Sequence, residues 1–302
     1  MGHSDQIQIC PMVKGWQNGR VYGELLRYRA GEHSIHSAYP IYSVKNVNTG
    51  LMMDRSLYRH YFTDTNTPDW MCPTCQKGIL RIVENSFNKI ETRDSRQAHC
   101  HPNWEPCFTT YIYSCLLRCH NERCQEIVAN TGTGSADIEG FYNERGQPDQ
   151  VWVDHFYPTF FEPPLAIIDI PADCPAEVKE PLQESFRLFF CSPASAGNNV
   201  RMAMESLLTQ LGVPTHNPKR LTLQGRLNLL PAEHSEFTPL FEAIRLFGND
   251  GSHPGSKITR HDVMDAYGLI EHVLQVLYKP VPKLPTEIVE KITKKFTPKP
   301  SS

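Results

Sequence analysis

Four cysteines stand in two pairs whose spacing is typical of metal ligands. Cys72 and Cys75 form the sequence CPTC, and Cys119 and Cys124 form CHNERC. Two such turns present four thiolates that can close a tetrahedron around Zn²⁺. A catalytic zinc site usually has three protein ligands and an open position for water instead. The sequence therefore predicts a structural zinc ion held by these four cysteines.

Other cysteine and histidine side chains compete for metal binding. Cys115 and His120 lie beside the second pair and are alternative ligands, although Cys115 falls in a predicted strand. Cys100, His101 and Cys107, in the sequence CHPNWEPC, could form a second metal site. A single turn without a matching pair is a weak signal, and free cysteines are commonly small buried apolar residues. We therefore favour packing for these three residues.

A second stretch that could do chemistry is RLFGNDGSHPG, residues 245 to 255, between two predicted helices. The simplest interpretation is a turn. Gly248 suits the position just after a helix, and Asn249 and Asp250 tolerate turn conformations. In this interpretation Arg245 favours the negative end of the helix, and His253 bonds a carbonyl group.

The composition is that of a globular protein. The chain has 302 residues, of which 40% are apolar and 21% charged, and its net charge is −3. No overall basic field exists, so contact with nucleic acid would need a local patch. No apolar run has membrane-spanning length, and the start MGHSDQIQIC has no hydrophobic signal core. With thiols that suit a reducing compartment, we expect a cytoplasmic protein without a membrane partner.

The elements divide the chain into a β-rich part and a helical part. Strands are predicted at FTTYIYSCLLRC and VWVDHFYPTFFE, with a third strand and a glycine turn in QEIVANTGTGSADIEG. A helix is predicted in LMMDRSLYRHYFTDT, and further helices follow residue 175. Ser192 and Pro193 open one of these, and Thr259 with Asp262 forms a capping box for the last.

These elements predict an α+β protein in which a small β-rich zinc-ribbon module precedes an all-α bundle. The expected units are an N-terminal extension (1–50), a zinc-ribbon-like β module (51–165), a helical domain (166–280) and a basic tail (281–302).

The helical half resembles a known family. The segments VRMAMESLL, LTLQGRLNLL and LFEAIRLFGNDGSHPGSKITRHDVMDAYGLIEHVLQVLY resemble the helical domain of unknown function family 4145. Upstream, PDWMCPTC, LLRCHNERCQE and FFEPPLAIIDIP look like the usual neighbour of that domain, so the resemblance covers about residues 51 to 280. This family is similar in turn to the HEPN superfamily, which includes metal-independent ribonucleases. The resemblance implies a HEPN-like bundle, a homodimer, RNA or another nucleic acid as ligand, and a restriction or antiphage-defence partner.

The resemblance also implies site residues. HEPN ribonucleases carry an arginine, often followed by asparagine, with a histidine four to six positions later. Asn249 and His253 match the second part, and His253 would take the proton of the ribose 2′-OH. Gly248 stands where arginine is expected, so Arg245, the nearest upstream arginine, becomes the phosphate clamp. Further substrate contacts are expected from Arg201, Glu205, Arg260 and His261.

Two functions therefore compete. The first is a metal-independent endoribonuclease with a structural zinc ribbon. The alternative is a non-catalytic dimerising adaptor, or a module that binds nucleic acid or protein, with the same fold. In the alternative, Arg201 and Glu205 are an ordinary helical ion pair. A guanidinium group of Arg245 held by a carboxylate of its own chain would favour the adaptor. A metal site closed by four cysteines would exclude a zinc-dependent hydrolase.

Overall fold

The computed structural model describes residues 53–58, 61–251 and 255–279, which belong to one compact unit. The N-terminal part is a curled antiparallel sheet that forms a half-barrel, and the C-terminal part is helical. The protein is thus of the mixed α+β class. The expected N-terminal extension (1–50), the basic tail (281–302) and His253 lie outside the described residues.

Within the described residues the sheet has five strands, of which the last three along the chain are long. The strands are β1 (Leu80–Ile82), β2 (Asn88–Glu91), β3 (Thr110–Cys119), β4 (Ile127–Tyr142) and β5 (Pro148–Glu162). β1 and β2 both pair with one edge of β3, and β4 and β5 follow on its other side. Along β3 every second residue is buried, including Tyr113, Cys115 and Leu117. This period of two places one face of the sheet against the core.

The predicted small zinc-ribbon module is wrong. β3, β4 and β5 have 10, 16 and 15 residues, whereas strands commonly have about 5–6. Their buried face packs on an aromatic cluster, in which Phe62 contacts Trp70, Tyr113 and Phe156 with ring centroids 5.4–5.9 Å apart. An apolar core therefore fills this part of the protein, and the cysteine pairs lie at one end of the sheet.

The predicted glycine turn in TGTGS is also wrong, because β4 runs through it. A Cβ atom at Gly132 would lie 2.1 Å from the carbonyl oxygen of Tyr157 on β5, and one at Gly134 would lie 2.7 Å from the ring of Phe156. Glycine is needed here because the neighbouring strand and its aromatic side chains approach the backbone closely.

Six helices accompany the sheet in the part of the chain that the structure describes. They are α1 (Arg93–Ala98), α2 (Ala176–Leu188), α3 (Pro193–Gln210), α4 (Leu223–Leu227), α5 (Thr238–Gly251) and α6 (Arg260–Tyr278). The rings of Phe161 on β5 and Phe190 just after α2 lie 4.9 Å apart, and one apolar core includes both parts of the protein. The separate HEPN-like all-α bundle is therefore corrected to helices that share a core with a large sheet.

Helix ends only partly follow the predictions. The capping box is confirmed, since the side chains of Thr259 and Asp262 bond each other's backbone N–H groups. The hydroxyl of Ser192 precedes α3 as predicted, but it bonds the side chain of Ser195 and no backbone amide. The helix predicted from residue 51 is wrong, because the described residues form a single 3₁₀ turn, Arg55–Tyr58.

Gly248 does not end its helix, because α5 continues to Gly251. A Cβ atom at Gly248 would lie 2.5 Å from Cβ of Arg201 on α3. The glycine therefore permits the close approach of α3 and α5, which is a packing reason that the turn interpretation does not contain.

Glu271 is a buried carboxyl group on α6. One of its oxygens accepts a hydrogen bond from the N–H of Asp169 at 3.1 Å. Within the described residues the other oxygen has no hydrogen-bond partner, and neither has the buried carbonyl oxygen of Gln275 one turn later. Burial raises the pKa of Glu271 above its ordinary value, and this effect exceeds the opposing effects of hydrogen bonds from the backbone of Asp169 and Met53. The environment thus favours the protonated carboxyl group.

We expect Glu271→Gln to stabilise the protein at neutral pH by about 1–3 kcal/mol. Because folding raises the pKa of Glu271, the stability that this residue contributes is fully present below its pKa in the unfolded chain. That stability is lost as the pH rises through its pKa in the folded protein. The amide cannot ionise, so it avoids the cost of a buried charge. Urea unfolding from pH 4 to 8 should show a difference that shrinks toward pH 4. A constant difference across this range would contradict the assignment.

Candidate metal centre

The first cysteine pair lies at the tip of a short hairpin. The N–H of Cys72 donates to the carbonyl oxygen of Gly78 at 2.8 Å, and that of Leu80 donates to Trp70 at 2.9 Å. The turn is closed by the N–H of Gln76, which donates to the carbonyl oxygen of Cys72 at 3.0 Å. Gln76 has a φ of 50°, in the left-handed region. This tight turn brings the two thiols of the pair to one side.

The second pair lies in the connection from β3 to β4 and has the same local form. The N–H of Cys119 donates to the carbonyl oxygen of Glu126, and the N–H groups of Cys124 and Gln125 both donate to Asn121. Gln125 also has a φ of 50°. In both turns the residue after the second cysteine is thus a glutamine in the left-handed conformation.

Pairing of β1 with β3 brings the two turns together, because Leu80 lies opposite Cys119. The four sulfur atoms of Cys72, Cys75, Cys119 and Cys124 all lie within 4.8 Å of one another. The distance from Cys72 Sγ to Cys124 Sγ is 3.7 Å, and that from Cys75 Sγ to Cys119 Sγ is 3.6 Å. This cluster could hold a metal ion.

The competing ligands do not join this cluster. Cys115 faces the core, with its sulfur 3.8 Å from the side-chain oxygen of Asn130, and His120 is exposed. Across the described ranges, no other group of three or more metal-ligating side chains comes together, so Cys100, His101 and Cys107 do not form one.

Backbone amides stabilise negative charge within the cluster. The N–H of Gly78 donates to Cys75 Sγ at 3.4 Å, and the side-chain amide of Asn121 lies 3.7 Å from the same sulfur. Hydrogen bonds from the N–H groups of Gly78 and Lys77 lower the pKa of Cys75 to about 6. Burial instead raises the pKa of Cys119 to about 12. Because neighbouring thiolates repel each other, a bound cation is needed to ionise the whole set.

We expect Gly78→Ala to weaken metal binding at least tenfold, because a Cβ atom at this position would lie 2.4 Å from Cys119 Sγ. Competition with a chromogenic chelator measures the change. Gly140→Ala is the matched control, since its Cβ atom would meet nothing closer than 4.0 Å. Equal metal retention by both variants would contradict the geometry of the cluster.

Arg245, the predicted phosphate clamp, is held by a carboxylate of its own helix. Its Nε donates to Glu242 Oε2 at 2.8 Å, and Gln224 on α4 donates to the other oxygen of Glu242. These bonds, first that from Gln224 and then that from Arg245, lower the pKa of Glu242. Asn249 is exposed near the end of α5, and the position of His253 relative to both lies outside the described residues.

The four predicted substrate contacts lie on two helices, Arg201 and Glu205 on α3 and Arg260 and His261 on α6. Arg201 donates to Glu205 one turn along α3 and to the side chain of Asn198. The guanidinium of Arg260 lies 5.7 Å from the ring centroid of Phe190, and burial lowers its pKa. Arg201 and Glu205 are paired with each other, and His261 is exposed.

Glu242 and Asn198 bind the predicted site arginines but lie outside the cysteine-pair and RLFGNDGSHPG motifs described above. Each precedes an arginine of the predicted site by three residues on the same helix. Residues three apart are neighbours on a helical surface, so the i, i+3 spacing in the sequence indicates that each arginine can be bound by the earlier residue.

None of the helices in the described ranges combines the length and apolar composition that crossing a membrane requires. Comparisons with curated proteins and with solved structures gave no match. Residues 60–161, which include all four clustered cysteines, match the family described as domain of unknown function DUF8608. Residues 183–295 match domain of unknown function DUF4145, which confirms the resemblance of the helical half. The chain is thus similar to DUF8608 in the part that contains the sheet and to DUF4145 in the helical part.

Proposed function

We propose that the protein is a non-enzymatic adaptor, a binding module whose fold is stabilised by zinc. The observation that carries this proposal is the ion pair between Arg245 and Glu242. A guanidinium group that already has a carboxylate partner is poorly suited to clamp a phosphate, because the substrate must displace that partner.

The donor set of the cysteine cluster fits structural zinc. With Zn–S bonds of about 2.3 Å, the edge of a tetrahedron is about 3.8 Å long. The sulfur–sulfur distances of 3.6 and 3.7 Å are close to this value. Four cysteine ligands fill the coordination shell, so zinc here would hold the two turns together and leave no position for a reactive water.

The contacts of Arg201, a predicted substrate contact, also support the adaptor function. Arg201 is engaged by Glu205 and Asn198, so both arginines on α3 and α5 have partners within one helical turn. Each carboxylate offsets the positive charge that a phosphate would need. The α3–α5 surface is therefore better suited to a protein partner than to a polyanion.

A cleavage assay tests the adaptor proposal. The full-length, zinc-loaded protein is incubated with labelled single-stranded RNA in EDTA, at a chelator concentration that leaves the bound zinc in place. We expect no cleavage above a no-protein control, and the same result for His253→Ala and Arg245→Ala. Cleavage by the wild type that both substitutions abolish would overturn the adaptor proposal.

A metal-independent endoribonuclease is the second candidate, and one observation favours it. The side chain of Arg201 occupies the space that a side chain at Gly248 would fill, so an arginine packs against the residue that directly precedes Asn249 in the sequence. The endoribonuclease candidate predicts the results for two further variants in the same assay. Arg201→Ala would abolish RNA cleavage, whereas Arg187→Ala, a change to a half-buried arginine of α2 that is paired with Glu162, would not.

A further inference from the structure

β4 and β5 continue beyond the rest of the sheet as a two-stranded ribbon, residues 136–154. Pairing of β3 with β4 ends at Thr110 and Ser135. Pairing of β4 with β5 continues to Tyr142 and Pro148, where a turn at 143–147 joins the strands. An isolated two-stranded hairpin is at best marginally stable in water. A ribbon of this length is therefore expected to gain stability from a partner.

The ribbon exposes large apolar side chains on both faces. Trp152 lies directly opposite Ile138, and the two are 42% and 45% exposed. The complete set of exposed large apolar residues on the ribbon is Ile138, Phe141, Tyr142, Val151 and Trp152. Large apolar side chains exposed together on one short ribbon, among charged residues, are typical of an interaction site.

The base of the ribbon is fixed, so its direction is set by the fold. The ring of Tyr61 stacks on His155 with centroids 3.5 Å apart, and its hydroxyl donates to Glu139 at 2.9 Å. Glu139 also contacts Nε2 of His155 at 2.8 Å, and Lys89 on β2 forms an ion pair with Asp154. The ribbon is thus held in place before any partner binds, which lowers the entropic cost of binding.

One edge of the ribbon offers unpaired backbone groups. The N–H and C=O of Phe156 both bond Phe62, so these groups point away from β4. Because backbone groups alternate sides along a strand, those of Asp154 and Trp152 point to the same edge. Among the described residues no strand pairs with them, since the chain after Phe62 turns away at Thr63. This edge can accept a further strand.

The negative charge of the ribbon determines which kind of partner strand can bind to its edge. Its acidic residues are Asp137, Glu139, Glu144, Asp149 and Asp154, against the single basic residue Arg145. A second acidic ribbon, a nucleic acid and an anionic membrane would all be repelled. An extended segment with lysine or arginine side chains would be attracted.

We propose that the ribbon docks an extended, basic segment of another protein. The segment adds as a strand to the edge of β5 beyond Phe62 and places apolar side chains on Trp152. Its basic side chains face the acidic residues of the ribbon. The inference rests on the proposed adaptor function in that it names the chemistry of one partner of the module.

A labelled peptide tests this docking directly. The probe is a fluorescein-labelled octapeptide of alternating lysine and valine, titrated with the full-length, zinc-loaded protein and followed by anisotropy. Two control peptides carry N-methyl groups on every second amide, the first on the odd-numbered amides and the second on the even-numbered ones. Methylation keeps the charge of the peptide but removes the N–H groups that pair with a strand. We expect the unmodified peptide to bind at least tenfold more tightly than the weaker control.

Two variants at one position separate strand pairing from contact with the indole ring. Trp152→Ala removes the ring, and Trp152→Pro removes the ring and the outward-facing N–H, a change that an edge position tolerates. We expect Trp152→Pro to bind the peptide at least tenfold more weakly than Trp152→Ala, with unchanged zinc content in both.

Three results would overturn the docking proposal: equal binding of all three peptides, equal binding by the two variants, or no binding of the unmodified peptide. Binding of a fluorescein-labelled oligouridine that Trp152→Pro abolishes would overturn it in favour of nucleic acid. The RNA-cleavage assay does not involve the ribbon, so failure of the docking proposal and failure of the adaptor proposal are distinguishable.

Discussion

Replacing Cys119 by serine is expected to abolish metal binding and to destabilise the protein more than any other single change considered above. Cys119 is buried at the end of β3, and its sulfur lies 3.6 Å from that of Cys75. Structural zinc contributes about 10–16 kcal/mol of apparent binding free energy in small zinc-dependent peptides. In this larger fold we expect a loss of more than about 3 kcal/mol. Thermal unfolding together with elemental analysis measures both effects.

Cys100→Ser is the matched control, because Cys100 is exposed and lies outside the cluster. It should keep the metal content and the unfolding temperature of the wild type. Equal unfolding temperatures for the Cys119 and Cys100 variants would contradict the structural role of the metal.

Gly132→Ala is expected to destabilise the sheet by about 3 kcal/mol or more, since its Cβ atom would lie 2.1 Å from the carbonyl oxygen of Tyr157. A backbone atom cannot move aside as the end of a flexible side chain can, so β4 and β5 must separate at this point. Chemical denaturation measures the loss. The control is Gly140→Ala on the same strand, where nothing lies closer than 4.0 Å, and we expect it to change stability by less than about 0.5 kcal/mol. Similar effects at both positions would contradict the path of β4 through its glycines.

The cysteine cluster could be predicted because its chemistry is local. The CPTC and CHNERC spacings each define one turn, and metal geometry allows few ways to combine them. The predicted strand that contains Cys115 is confirmed, and this residue is buried in the core. What the spacing did not contain was the left-handed conformation of Gln76 and Gln125, which depends on how each turn meets the next strand.

The predictions for the glycines were wrong because the groups that require glycine at these positions lie far away in the sequence. Gly132 and Gly134 looked like a turn, yet they face aromatic and backbone groups of β5 about 25 residues later. Gly248 likewise looked like a helix end, although its close neighbour is Arg201 on another helix. Single-sequence patterns carry local preference, and close packing between elements overrides it.

The predicted role of Arg245 likewise depends on a contact that the motif does not contain. Arg245 was correctly placed on a helix, but its partner Glu242 decides what the guanidinium can do. The pair follows from the i, i+3 spacing once the helix is known. The size of the sheet, and hence the error in the predicted zinc ribbon, could not be read from separate short strand signals.

X-ray absorption at the zinc edge of the purified full-length protein tests the central claim most directly. A closed structural site held by Cys72, Cys75, Cys119 and Cys124 predicts one zinc per chain, with four sulfur ligands at about 2.3 Å and no oxygen or nitrogen shell. A site with three sulfur ligands and one lighter ligand, or a protein that folds without metal, would contradict it.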